Sequence, residues 1–63
     1  MRPIYINART AQGRETVDSV DPDPEYWPTP RAMRKEAARL VSEYHLCGIA
    51  AYTSTRPCAN WKG

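Results

Sequence analysis

The sequence predicts an α+β domain with element order β-β-α-β, a three-stranded antiparallel sheet of order 2-1-3 packed on one helix. Three observations carry that expectation. Ile4, Ile6 and Ala8 alternate with Tyr5, Asn7 and Arg9, the period of two that marks a half-buried strand. Met33, Ala37, Leu40, Val41 and Tyr44 recur at i, i+4, i+7, i+8 and i+11, one apolar stripe of a 3.6-residue period. Between them lies Asp21-Pro22-Asp23-Pro24-Glu25-Tyr26-Trp27-Pro28, where prolines exclude both helix interior and ladder pairing.

The elements follow in chain order. The first strand spans about 3–9. Thr10-Ala11-Gln12-Gly13 follows, and Gly13 can take the left-handed conformation that ends a short hairpin loop with a bulge. The returning strand spans about 14–19 with Thr16 and Val17 at its centre. Val17 and Val20 share a face only if the strand carries a bulge. Residues 21–28 form an acidic, proline-rich linker, expected to be extended and polyproline-like. Thr29 is an N-cap residue with Pro30 at the first helical position, so the helix spans about 30–46. Gly48 stands where a left-handed residue ends a helix. Ile49 to Ser54 reads as the third strand, Arg56-Pro57 ends it, and 57–63 is a short tail with room for one turn.

The chain order fixes the topology. The third strand runs parallel to the second, so pairing it beside the first gives an all-antiparallel 2-1-3 sheet with a right-handed crossover. Ile4 and Ile6 then sit on the central strand against the helix stripe. The other sheet face carries Tyr5, Asn7, Arg9, Tyr52 and Ser54, and is open unless the tail or a partner covers it. Trp27 and Trp61 lie in the flanks and are long enough to reach it.

Sixty-three residues make one small domain, expected to span 1–63. Such a chain buries roughly 60 % of its unfolded surface and has little material for a walled pocket. No apolar run reaches the length of a membrane span, and the N-terminus lacks a signal-peptide apolar core. The expected location is therefore the cytoplasm, with no membrane partner. The net charge of +2 conceals segregation: residues 1–14 carry +3, residues 15–25 carry −5, and residues 26–63 carry +4.

Each candidate chemistry has a plainer counterpart. Tyr5, Tyr52, Arg9 and Arg56 can stack bases and neutralise phosphates, but tyrosines also pair across strands for stability. Arg31, Arg34, Lys35 and Arg39 can track phosphates, yet Glu36 and Glu43 pair with Arg39 along the helix. His45, Cys47 and Cys58 supply fewer than the four ligands of a structural zinc site and lack a close cysteine pair. No metal and no cofactor are therefore expected. Cys58 beside Arg56 and Lys62 is a candidate nucleophile, but no oxyanion hole, phosphate loop or serine elbow accompanies it. The chain does not read as an enzyme. Two cysteines are too few for a disulfide scaffold, and free thiols are expected. The acidic run ending in Tyr26-Trp27 suits either docking to a basic partner or solubilising the linker.

The stretch from Leu40 to Cys58 contains Glu43-Tyr44-His45-Leu46-Cys47-Gly48, a short strand with Tyr52, then Ser54-Thr55-Arg56-Pro57-Cys58, with Trp61 beyond. It resembles short accessory proteins of enterobacterial temperate phages and prophages. The resemblance implies a protein made in a bacterial host that acts by binding a host protein or nucleic acid. The expected function is thus a non-enzymatic binding module contacting a host protein through the open sheet face, with Tyr5, Arg9, Tyr52, Arg56, Tyr26 and Trp27 as its contact residues. The alternative is a nucleic-acid-binding module using the sheet aromatics and the helix arginines. A homodimer through the open face or the edge of the third strand fits either.

Overall fold

The computed structural model describes residues 2–23 and 25–62. Met1, Pro24 and Gly63, which belong to the expected domain, linker and tail, lie outside the described residues. The elements are β1 (Ile4–Thr10), β2 (Gly13–Val20), α1 (Pro30–Leu46) and β3 (Ala50–Ser54). The sheet order is β2-β1-β3 and both pairings are antiparallel, so the expected fold is the observed one.

Local chemistry sets each boundary. Thr10 and Gly13 pair across the hairpin. The Thr10 hydroxyl accepts the Gln12 amide at 3.2 Å and donates to the Gly13 carbonyl at 3.0 Å. Gly13 has φ +109°, a region that side chains resist. The helix opens on Thr29, whose hydroxyl accepts the Ala32 amide at 3.2 Å, with Pro30 leading the first turn. It closes on Gly48 at φ +80°. There the Ile49 amide reaches the Tyr44 carbonyl and the Gly48 amide reaches His45, both at 2.9 Å, the paired bonds of a Schellman cap. Because that cap holds Ile49, β3 begins at Ala50, one residue later than the alternation suggests.

The bulge on which a shared face for the two valines depends is present. Ile6 pairs with Asp18 but Asn7 pairs with Thr16, so Val17 is the extra residue. That slip lets both Val17 and Val20 pack on the core while Thr16 keeps to the opposite face.

The linker departs from the extended reading. The Asp23 carbonyl accepts amides from Tyr26 at 3.1 Å and Trp27 at 2.7 Å, and its side chain accepts the Glu25 amide at 3.0 Å. Aspartate folds its own backbone into a turn this way, and the turn delivers Trp27 to the core.

The buried core is Ile6, Ala8, Val20, Met33, Ala37 and Ala51. Ile4, Leu40, Val41 and Tyr44 pack around it. Ala8 of β1, Ala51 of β3 and Ala37 of α1 leave room for the helix to lie close on the sheet. Ile6 and Met33 are the two largest fully buried side chains, each worth about 2–3 kcal/mol of burial. The molecule is a thin slab of 36 × 25 × 14 Å.

Candidate binding face of the sheet

The face opposite the helix is roofed in part by the tail. Thr16 is the anchor. Its hydroxyl donates to Asn7 Oδ1 at 2.7 Å and accepts the Cys58 amide at 2.7 Å. Asn7 Nδ2 donates to the Arg56 carbonyl at 3.1 Å. Asn60 uses both ends of its amide: Oδ1 accepts the Thr16 N–H at 2.9 Å, and Nδ2 donates to the Thr16 carbonyl at 3.2 Å. That side chain imitates a neighbouring strand and closes the outer edge of β2, where unpaired backbone otherwise invites aggregation. Thr16 and Asn7 are 4 % and 3 % exposed, so the network sits in a dry site where hydroxyl and amide need partners. A turn from Cys58 to Trp61 sets the Trp61 ring edge-on to Tyr5, centroids 6.4 Å apart.

The expected contact residues therefore separate. Tyr5 is half-buried beneath Trp61. Tyr52 pairs with Asn7, and Tyr5 with Ser54, so the two tyrosines are diagonal rather than directly opposite. Tyr52 remains 36 % exposed. Arg9 and Arg56 are exposed. Arg9 stands directly opposite Arg14, which is also exposed. Tyr26, 73 % exposed, leans on Trp27, and Trp27 packs on the core side with Val20 and Leu40. The structure thus places Tyr52 and Arg9 on the tail-covered face, brings the Arg56 backbone onto it through Asn7, and places Tyr26 and Trp27 away from them.

Sheet alternation also sorts the charges. Glu15 pairs with Ala8, and Asp18 with Ile6, so both carboxylates fall on the helix side. Asp18 Oδ2 there accepts the Tyr44 hydroxyl at 3.3 Å. Burial, then the Asp18 carboxylate, raise the Tyr44 hydroxyl above its ordinary value. On the helix surface Arg39 is held by Glu36 and Glu43, a solvated ion-pair ladder, and both carboxylates raise its pKa. Among the described strand residues, the tail-covered face carries Arg9 and Arg14 and no carboxylate.

The sulfur and imidazole groups do not converge. The His45 ring meets the Ala51 carbonyl at 2.9 Å on the helix side. Cys58 lies over the opposite face at Thr16. Cys47 borders Asp18 and Tyr44. Both cysteines are free thiols, and no three His, Cys, Asp or Glu among the described residues group around a common metal position.

Sequence reasoning missed Arg14, Thr16 and Asn60. Arg14 was legible: once Thr10 and Gly13 close the hairpin, Arg9 must face it. Asn60 was not, because a tail residue acquires meaning only when the tail folds back across about 44 positions of chain.

Fold and face together define a small one-helix α+β domain with a basic, tyrosine-bearing sheet surface. No family model matches the chain, and no curated protein or solved structure is significantly similar to it.

Proposed function

We propose that this protein is a non-enzymatic binding module that docks an acidic surface of a host protein on Arg9, Arg14, Arg56 and Tyr52. The observation that carries this reading is the Arg9–Arg14 pair. Like charges directly opposite on a sheet destabilise it, and among the described strand residues this face supplies no carboxylate to offset them. A partner's carboxylates relieve that repulsion on binding. Tyr52 adds a rigid, half-apolar contact of the kind that anchors interfaces. The separation of Cys58 from His45 supports a binding role over nucleophilic catalysis. The phage-like C-terminal stretch fits a host protein in the bacterial cytoplasm, and among the described residues no helix is long and apolar enough to cross a membrane.

Nucleic acid is the second reading, because the same cations and tyrosine suit a single strand. One experiment separates them. The full chain is used to capture partners from a bacterial lysate, with and without nuclease, beside Arg9→Glu/Arg14→Glu and Tyr52→Ala variants. The proposal expects a discrete protein that survives nuclease and is lost with the charge-reversed variant. Capture that vanishes with nuclease and falls steeply with salt would establish nucleic acid instead. Capture indifferent to all three substitutions would remove this face from either role.

A further inference from the structure

The two sheet edges are not equivalent. Asn60 occupies the outward N–H and C=O of Thr16 on β2, so the Asn7–Thr16 pair does not bond to itself and Asn7 turns its backbone groups toward β3. Tyr52, its partner there, therefore faces β1, and alternation turns Ala51 and Thr53 outward. Ala51 is internally satisfied: its carbonyl meets the His45 ring at 2.9 Å and its amide bonds Ile49 at 2.9 Å. Thr53 presents its groups at an edge whose residues, Ala50 to Thr55, include no charge and no proline to block pairing.

That edge borders a groove. Ile4, Ala37, Ala38, Arg34, Thr53 and Thr55 line a cleft of about 560 Å³ between β3 and α1. It continues past Ile4 and Arg34 toward Arg2 and Met33. Its floor is apolar, its charged residues among those described are Arg34 and Arg2, and no carboxylate lines it.

We infer that the β3 edge and its groove take an extended, acidic segment of a partner protein by strand addition. The segment pairs with Thr53, places apolar residues over Ile4, Ala37 and Ala38, and sets a carboxylate against Arg34 or Arg2. Strand addition draws affinity from the backbone and specificity from alternate side chains. A second copy is the poorer occupant, because pairing β3 with itself brings two cationic linings together without a carboxylate between them. The site lies across the sheet from Arg9 and Arg14 and does not rest on their role.

The test uses the full isotope-labelled chain and two capped peptides, Glu-Thr-Val-Thr-Val-Thr-Glu and its counterpart with both glutamates replaced by lysine. Amide shifts are followed during titration, with sedimentation of the free protein alongside. The inference expects saturable shifts at Thr53, Thr55 and Ala38 with the acidic peptide, at least tenfold weaker binding of the basic one, and reversal of that preference in Arg34→Glu. Thr53→Pro, which removes the outward N–H at an edge position that tolerates proline, abolishes binding by the folded chain. Equal binding of both peptides, no shift at millimolar peptide, or shifts confined to Arg9 and Tyr52 would each overturn it. Concentration-dependent dimers that shift Thr53 before peptide is added would overturn it in favour of a second copy. Arg9→Glu/Arg14→Glu serves as control and leaves peptide binding unchanged, so failure here is distinct from failure of the sheet-face reading.

Discussion

Thr16→Val is the sharpest test of how the tail is held. Valine keeps the shape of threonine and deletes the hydroxyl. Two 2.7 Å bonds are lost, one to Asn7 Oδ1 and one from the Cys58 amide. Each such bond is worth about 1 kcal/mol net, and a partner left unsatisfied in a buried site costs about 1–3 kcal/mol. Asn7 has almost no access to water, whereas the tail amide regains water if the tail lifts. The expected loss is therefore about 2–4 kcal/mol. A chain of this length has roughly 3–9 kcal/mol in total, so the loss is a large share of its stability. The assay is urea denaturation, paired with hydrogen exchange at the Cys58 amide. Thr16→Ser retains the hydroxyl and should recover most of the loss. Asn60→Ala should cost only about 0.5–1.5 kcal/mol, because its bonds are part-buried at the β2 edge and water can reach the Thr16 backbone once the side chain is gone. If Thr16→Val matches wild type within about 0.5 kcal/mol, or if serine and valine lose stability equally, the hydroxyl does not hold the tail.

Three further outcomes follow from the fold. Met33→Ala empties the centre of a small core and should cost about 3 kcal/mol, read as a lowered midpoint in thermal or chemical unfolding. Gly48→Ala forces a side chain into φ +80° and should cost about 1 kcal/mol by the same measurement; an unchanged midpoint would mean the cap relaxes freely. Tyr44 has a raised folded pKa, so the folded chain holds this proton more tightly than the unfolded chain does. Its contribution is complete below the ordinary tyrosine value of about 10 and is lost as pH rises through the folded value. Stability should thus fall in alkali above about pH 10, and Tyr44→Phe should flatten that fall, as pH-dependent denaturation would show.

Much of the architecture was written locally. The alternation of Ile4, Ile6 and Ala8, the Thr29-Pro30 start and the Gly48 stop each act within a few residues, where period, capping and φ preference decide the outcome. The Val17–Val20 spacing let the two valines share a face only with a bulge, and the bulge is found. The site was less legible. Alternation put Tyr5, Arg9 and Tyr52 on one face, and the hairpin fixed Arg9 against Arg14. Alternation did not reveal that Thr16 binds Asn60, that Trp61 covers Tyr5, or that Asp23 turns the linker and sends Trp27 to the core.

The sequence by itself determined which residues form strands and helix, the order of the sheet and the apolar face of each element, because those depend on periodicity and short-range backbone chemistry. Only the tertiary structure decided which sheet face is covered and which edge is closed. Those outcomes depend on whether a distant tail finds buried polar partners at Asn7 and Thr16, an energy set by desolvation and geometry across the fold rather than by any local pattern.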